Sequence, residues 1–164
     1  MKVLSLFDGI SCGMIALERA GIKVDRYKAY EIDENAIAVS KKNYPQIEHS
    51  GNVFDAKYVA GEFDLLIGGS PCTYWSIAKT DGKRETTSQG LGFDLFMQYV
   101  RALKEANPKY FLYENNFSIS KDIKSEISKE LGVEPLMINS ALVSGQNRKR
   151  CYWTNIPEVK APEN

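Results

Sequence analysis

The sequence has little of the residue types that mark several protein classes. It contains one histidine and three cysteines in 164 residues. The single histidine, His49, excludes any mechanism that needs two histidines and is interpreted as structural or as a surface residue. No Cys/His spacing suggests a zinc site, so no metal is predicted. Because three cysteines cannot all pair within one chain, their number favours a reducing compartment.

Long apolar runs are absent as well. No run approaches the ~20 residues that a membrane span needs, and the apolar stretch at residues 3–7 is too short for the core of a signal peptide. We therefore expect a cytoplasmic protein with no membrane contact. With 43% hydrophobic and 26% charged residues, the composition excludes a disordered chain.

Neither sign of charge is in excess, because 21 Lys and Arg residues balance 21 Asp and Glu residues. A protein that binds nucleic acid alone usually has a basic excess. If this chain acts on nucleic acid, its basic residues must be clustered or a partner must supply them.

Strand-like and helix-like stretches alternate along the chain, which predicts an α/β fold with a doubly wound, mostly parallel sheet and a final antiparallel strand. Strands are predicted at 3–7, 27–32, 63–67, 110–113, 136–143 and 151–154, and helices at 14–20, 34–42, 93–106 and 119–131. We expect one domain over residues 1–155 and a frayed, linker-like tail over 156–164.

A glycine-containing loop, Phe7-Asp8-Gly9-x-x-x-Gly13, joins the first strand to the first helix. Glycines allow a sharp turn and a close approach to a ligand, and Glu31 at the end of the next strand is placed to bind ribose hydroxyls. The pattern indicates a nucleotide-type ligand. The alternative is a tight turn and a surface acid.

A second motif, Gly68-Gly69-Ser70-Pro71-Cys72, follows a predicted buried strand. A cysteine at the carboxyl end of a sheet lies where ligands bind in such folds, so Cys72 is a candidate nucleophile. The alternative is a small buried hydrophobe. Cys12 and Cys151, which lie in or beside apolar runs, are interpreted as structural thiols.

Two polar clusters complete the candidate site. Glu114, which is followed by two asparagines, emerges from an apolar strand and could have a raised pKa and act as an acid, or belong to a turn. The densest basic run, residues 146–150, contains Arg148 and Arg150, and guanidinium groups suit phosphate and base-edge contacts. The alternative is a solvated turn.

Taken in this order, the motifs resemble those of the cytosine-5 DNA methyltransferase family. Phe7-Asp8-Gly9-x-x-x-Gly13 is similar to its first motif, Pro71-Cys72 to its Pro-Cys motif, Glu114-Asn115 to the start of its Glu-Asn-Val motif and Gln146-x-Arg148-x-Arg150 to its Gln-x-Arg-x-Arg motif. The stretches at residues 4–10 and 24–27 are similar to the animal de novo branch, and phage and prophage enzymes of restriction–modification type carry such sequences too.

The resemblance implies a Rossmann-like fold that binds S-adenosyl-L-methionine and releases S-adenosyl-L-homocysteine. Phe7 would pack on the adenine, Glu31 would bind the ribose, and Leu95 would close over the cofactor. The cofactor-binding residues that it implies are Phe7, Asp8, Gly9, Ile10, Cys12, Gly13, Glu31, Ile32, Asn52, Val53, Pro71 and Leu95.

It also implies a mechanism on a cytosine flipped out of DNA. Cys72 would attack C6, Glu114 would bond the ring at N3, and Arg148 would hold the O2 edge. Arg150 would support the Cys72 loop or the DNA backbone. The polar loop at 73–92 would fold onto DNA through its cationic side chains, Lys79, Lys83 and Arg84.

The sequence departs from the family pattern at three points. Asn52 stands where the family usually has Asp, and Asn116 stands where it has an aliphatic residue. The target-recognition region and last motifs normally follow the Gln-x-Arg-x-Arg strand, so we expect weak or no activity from these 164 residues alone and a possible second chain that reads DNA. The alternatives are an RNA cytosine-5 methyltransferase and a non-catalytic regulatory or binding subunit.

Overall fold

A computed structural model describes residues 1–75, 82 and 84–163. Seven strands form one sheet in the order β3-β2-β1-β4-β5-β7-β6, and four α-helices cover it. The elements are β1 (Lys2–Leu6), α1 (Cys12–Arg19), β2 (Arg26–Tyr30), α2 (Glu34–Asn43), β3 (Glu48–His49), β4 (Leu65–Gly68), α3 (Leu91–Ala106), β5 (Tyr110–Asn116), α4 (Lys121–Leu131), β6 (Leu136–Asn139) and β7 (Lys149–Thr154).

The sheet confirms the predicted topology. Strands β1 to β5 pair with one another in parallel, whereas β7 runs antiparallel to both β5 and β6. The last strand is therefore antiparallel as expected, but it lies inside the sheet and β6 forms the edge. The strand order reverses between β1 and β4, and the crevice at the carboxyl ends of strands around such a point is where ligands bind in open α/β sheets.

Alternating side chains of the strands feed two separate apolar cores. Leu4 and Leu6 of β1 belong to the larger core, which also holds the buried residues of α3 and α4. Val3 belongs to the smaller core, where Met14 and Leu17 of α1 pack. The mostly parallel sheet thus has helices on both faces, as the alternation of elements predicted.

Local chemistry explains where the helices begin and end. The Asp33 carboxylate accepts hydrogen bonds from the first-turn amides of α2 and confirms the predicted cap. The Ser120 hydroxyl caps α4 in the same way, and Gly132, at φ +73°, ends it. Helix α1 begins at Cys12 and α3 at Leu91, each two residues before the predicted start.

Strand β5 is longer than predicted, because its pairing with β7 continues the ladder beyond residue 113. Residues 114–116 pair with residues 150–152. Glu114 therefore lies within a strand and not in the turn that follows it, and its backbone is held by hydrogen bonds on a rigid element.

The packed part of the chain continues past residue 155. Ile156 packs against the smaller core, and Pro157 lines a cavity beside it. Among the described residues, no helix combines the length and the apolar character needed to cross a bilayer.

The larger core makes a stability prediction. Ile127 of α4 is fully buried, so we expect Ile127→Ala to lower the free energy of unfolding by about 2–5 kcal/mol through lost apolar burial and a residual cavity. Val59 is 67% exposed, so we expect Val59→Ala to change it by less than about 0.5 kcal/mol. Urea titration followed by tryptophan fluorescence measures both, and equal losses would contradict this account of the core.

Candidate active site

The loop after β1 has an unusual backbone. Phe7 at φ +55° and Ser11 at φ +67° occupy the left-handed region without being glycine, and Gly9 lies at φ +59°. Such conformations cost energy and persist only where surrounding contacts hold them, which is common at functional sites. A Cβ on Gly13, the last residue of the motif, would lie 2.4 Å from Cδ1 of Ile67 and 2.9 Å from the Tyr27 hydroxyl, so a side chain there would displace both.

Asp8 supplies the contacts that hold this loop. Its carboxylate accepts hydrogen bonds from the hydroxyls of Ser5, Ser11 and Tyr27, and the Ser11 hydroxyl lies 2.6 Å from that of Ser40 in α2. The carboxylate that the sequence assigned to the cofactor is therefore engaged within the protein. Three hydroxyls converge on it and hold the strained turn, and its role toward the cofactor stays a prediction.

Glu31 joins the end of β2 to the same loop. Its carboxylate accepts from the backbone amides of Gly9 at 2.8 Å, Ile32 at 2.9 Å and Asp33 at 3.0 Å. A carboxylate has about four lone-pair sites, so capacity remains for a ligand hydroxyl. The sequence-predicted meeting of Glu31 and the glycine loop is observed.

A cavity of about 390 Å³ opens beside these residues. Seven of the predicted cofactor residues line it: Phe7, Glu31, Ile32, Asn52, Val53, Pro71 and Leu95. Sequence reasoning missed the remaining wall residues, which are Tyr30, Gly51, Phe54, Thr73, Tyr74 and Leu91. Three of these six, Tyr30, Gly51 and Phe54, are direct chain neighbours of predicted cofactor residues, and that adjacency is the signal that could have found them.

Asn52 has a structural task in this wall. Its side-chain carbonyl accepts from the amide of Phe54 at 3.0 Å and caps a 3-10 helix that begins at Val53. From α3, the Arg101 guanidinium donates to the backbone carbonyls of Val53 at 3.0 Å and Ala56 at 2.8 Å. Arg101 thus fixes the cavity wall, and nothing in the sequence near these motifs pointed to it.

A second cavity of about 670 Å³ shares Phe7 with the first. Its polar part contains Asp8, Cys12, Glu114 and Arg148, and apolar residues of α1, β4 and β5 form much of the rest. Of the other predicted cofactor residues, Gly13 lines this second cavity, whereas Gly9 and Ile10 line neither of the two.

The cysteines differ in environment. Cys12 is exposed, so its interpretation as a structural thiol is wrong, because it is the first residue of α1 and precedes the buried positions of that helix. Cys151 is buried as expected, and Cys72 is partly exposed to solvent. Cys72 begins a short 3-10 helix, and Trp75 just beyond it is fully buried and anchors the segment.

The Cys72 loop lies against the end of β5. A Cβ on Gly69 would lie 2.6 Å from the backbone oxygen of Glu114 and 3.0 Å from its Oε2. A Cβ on Gly68 would lie 2.8 Å from the backbone oxygen of Leu6. The two glycines therefore permit contacts that a side chain would prevent, and they allow the Cys72 loop to lie beside the Glu114 carboxylate.

Glu114 is partly buried and lies between opposing influences. Burial raises the pKa of its carboxyl, while the charges of Arg150 and Arg148 and a hydrogen bond from Arg150 lower it, with a raised pKa as the net result. Arg150 Nε lies 2.8 Å from Glu114 Oε1. In this structure the Arg150 guanidinium thus pairs with Glu114 across the β5–β7 ladder, and its assignment to the Cys72 loop or to DNA stays a prediction.

Arg84 is likewise engaged within the protein. Its Nε donates to the carbonyl of Trp75 at 3.1 Å, and Nη2 donates to that of Ser118 at 2.7 Å. It therefore ties the end of the Cys72 segment to the loop after β5, and its contact with DNA stays a prediction. The other two cations of that expectation, Lys79 and Lys83, lie outside the described residues.

The chain is similar in sequence to methyltransferases of phages and bacteria. The orphan methyltransferase M.Rho11sI of Bacillus phage rho11s is 34% identical over 96% of this chain and 33% of its own length. The orphan methyltransferase M.SPRI of Bacillus phage SPR is 33% identical over 96% of this chain and 38% of its own length. The type II methyltransferase M.NgoPII of Neisseria gonorrhoeae is 36% identical over 70% of this chain and 33% of its own length. The chain thus spans about a third of the length of these relatives.

The fold has a solved counterpart. A chain from Escherichia coli, described as a DNA modification methyltransferase encoded within a prophage, superposes with a TM-score of 0.71 at 24% identity, over 94% of this chain and 46% of its own. This match supports the Rossmann-like methyltransferase fold. These relatives come from phages and bacteria, and the likeness to the animal de novo branch stays a prediction. Because the model of the C-5 cytosine-specific DNA methylase family matches residues 1–158, the chain belongs to that family.

Proposed function

We propose that this chain carries the cofactor-binding and catalytic residues of a DNA cytosine-5 methyltransferase that acts through a covalent cysteine adduct. The observation that carries the proposal is the close packing of Gly69 on Glu114. It brings the loop of Cys72 beside a carboxylate with a raised pKa, at the edge where two cavities meet at Phe7.

The smaller cavity suits S-adenosyl-L-methionine in size and chemistry. Its volume of about 390 Å³ lies within the usual range of ligand pockets. Phe7 and Leu95 would hold the adenine between apolar surfaces, and Glu31 would bind the ribose hydroxyls. Asn52 keeps one lone pair of its capping oxygen for the adenine amino group. When bound, the cofactor supplies the methyl group.

The residues at the strand ends would act on a flipped cytosine. The Cys72 thiolate adds to C6, which forms a carbon–sulfur bond and places the electron pair of the C5–C6 double bond on the ring. Glu114 donates a proton or a hydrogen bond at N3 and stabilises that charge, and Arg148 holds O2. After C5 has gained its methyl group, a base or water removes the C5 proton, the double bond re-forms and the thiolate leaves.

Recognition of the DNA sequence is proposed to depend on residues outside this domain. The chain covers about a third of the length of its phage relatives, and its formal net charge is zero. We propose that a target-recognition region, in the same protein or on a second chain, supplies the remaining contacts to DNA.

The covalent step is tested with DNA that contains 5-fluorocytosine, because fluorine at C5 cannot leave as a proton and the adduct is trapped. We expect Cys72→Ser to lower the rate of adduct formation by about 10³-fold or more. Cys151→Ala is the control, because that thiol is buried in β7. The assay runs with the chain alone and with the remaining part of the SPR phage relative added. The proposal is rejected if no adduct forms in either assay, or if Cys72→Ser forms adduct as fast as the native chain. Adduct formation on a matched tRNA but not on DNA would favour the RNA methyltransferase alternative.

Cofactor binding is tested at Glu31. We expect Glu31→Gln to weaken binding of S-adenosyl-L-homocysteine about tenfold, because the amide loses a charged acceptor for ribose hydroxyls and for three backbone amides. Glu34→Gln is the matched control, since Glu34 is an exposed glutamate three residues later, at the start of α2. Isothermal titration calorimetry measures both, and equal affinities would remove Glu31 from the site.

The environment of Glu114 predicts a pH effect. Because its pKa is raised, its carboxyl keeps its proton to higher pH than an ordinary glutamate. We expect Arg150→Gln to raise the pKa of Glu114 further, since it removes both a nearby positive charge and a hydrogen bond, and Arg148→Gln to raise it less. Carbon-13 NMR titration of the Glu114 carboxyl measures the order, and a lowered pKa in Arg150→Gln would contradict it.

A further inference from the structure

A closed ring of buried hydrogen bonds lies behind the Cys72 loop. The hydroxyl oxygens of Ser70 and Tyr113 are 2.6 Å apart, and Asn115 Nδ2 donates to the Tyr113 hydroxyl at 3.1 Å and to the Ser70 carbonyl at 3.3 Å. All three residues are buried, with at most 4% of each exposed. The sequence motifs singled out neither Ser70 nor Tyr113 as functional.

The ring uses nearly every polar group that it contains. The two amide protons of Asn115 go to two different oxygens, and its carbonyl oxygen accepts from the amide of Asn116 at 2.8 Å. One hydroxyl proton joins Tyr113 to Ser70, whichever oxygen donates it. Since burial raises the pKa of Tyr113, the phenol stays protonated over the working range of pH. A buried network so fully paired favours one geometry of its members.

The ring joins the nucleophile loop to β5 through side chains. On the loop side, Gly68 and Gly69 have none, so Ser70 is the first residue after β4 that can bond sideways, and Pro71 and Cys72 follow at once. On the strand side, Tyr113 and Asn115 flank Glu114 and point to the opposite face of the sheet. The Cys72 loop and strand β5 are thus linked by hydrogen bonds on the face of the sheet opposite Glu114.

We infer that the Tyr113 hydroxyl is a positioning group that, through Ser70, fixes the Cys72 loop in its position against the end of β5 at Glu114. The inference deepens the proposed function and rests on it for the role of Cys72. The hydroxyl itself touches no substrate in this arrangement, and it acts by restricting the loop.

The aromatic ring of Tyr113 has a separate task. It packs with Phe96, Tyr99 and Trp153, at centroid distances of 5.1, 4.9 and 5.8 Å. A phenylalanine would satisfy that packing, so the hydroxyl is the part that serves the loop. Tyr99 offers a matched comparison, because it is also fully buried in this cluster but donates its hydroxyl to the carbonyl of Leu66 in β4 at 3.2 Å.

The first test compares Tyr113→Phe with Tyr99→Phe in adduct formation on 5-fluorocytosine DNA, under the conditions in which the native chain forms adduct. We expect Tyr113→Phe to lower the rate about tenfold, because a misplaced nucleophile loses its attack geometry, with affinity for S-adenosyl-L-homocysteine unchanged. Tyr99→Phe should keep the native rate. Ser70→Ala should also lower the rate, because it removes the Ser70–Tyr113 hydrogen bond, whereas Tyr113→Phe removes that bond and the one from Asn115. The double variant should be no slower than Tyr113→Phe, since the bond that Ser70→Ala removes is already lost there.

The second test needs no activity. Hydrogen exchange is followed at the amide of Trp75, which donates to the Cys72 carbonyl at 3.0 Å, with amides of the β1–β2 ladder as reference. We expect exchange at Trp75 to rise about fivefold over the reference in Tyr113→Phe and Ser70→Ala, and not in Tyr99→Phe. If Tyr113→Phe does not fold, the result with Ser70→Ala tests the inference in its place.

The outcomes separate the two proposals. If the native chain forms no adduct under any condition, the proposed function fails, and hydrogen exchange alone decides whether the ring restrains the loop. If the native chain forms adduct, while Tyr113→Phe and Tyr99→Phe have equal rates and equal exchange at Trp75, the positioning role is overturned.

Discussion

The contact of the Gly69 backbone with the end of β5 sets the geometry on which the candidate site depends. A methyl group at Gly69 would collide with the backbone oxygen of Glu114, so the loop can reach this depth only without a side chain. At this depth the loop that contains Cys72 lies beside Glu114, and the Ser70 hydroxyl lies 2.6 Å from that of Tyr113. Burial, which raises the pKa of Glu114, and its pairing with Arg150 both follow from its place inside the β5–β7 ladder.

Several polar residues that a motif assigns to a ligand serve the protein itself. Asp8 accepts three hydroxyl hydrogen bonds, Asn52 caps a turn, and Arg84 joins two loops through backbone carbonyls. These contacts hold backbone that would otherwise be strained or mobile. They also leave the ligand-facing surface to aromatic and apolar side chains such as Phe7 and Leu95, together with the remaining acceptor capacity of Glu31.

Much of the fold was predictable because its signals are local. The apolar strands, the Asp33 cap and Gly132 report on their own neighbours in the chain, and the structure confirms the elements that they mark. The end of β5 was not predictable, because it depends on pairing with a strand more than thirty residues later. Of the predicted cofactor residues, seven meet at one cavity, whereas Arg101, which braces that cavity, comes from a helix whose sequence has no motif.

The sequence by itself determined the alternation of elements, the family motifs and their order, since each depends on residue type and short-range spacing. Only the tertiary structure decided which charged groups face each other, because that depends on strand register and on the depth to which each loop packs. In the structure Arg150 pairs with Glu114, Asp8 accepts a hydrogen bond from Tyr27, and the hydroxyl of Tyr113 bonds that of Ser70. Hydrogen bonds act over about 3 Å, and no spacing along a chain determines which distant atoms fold to within that distance.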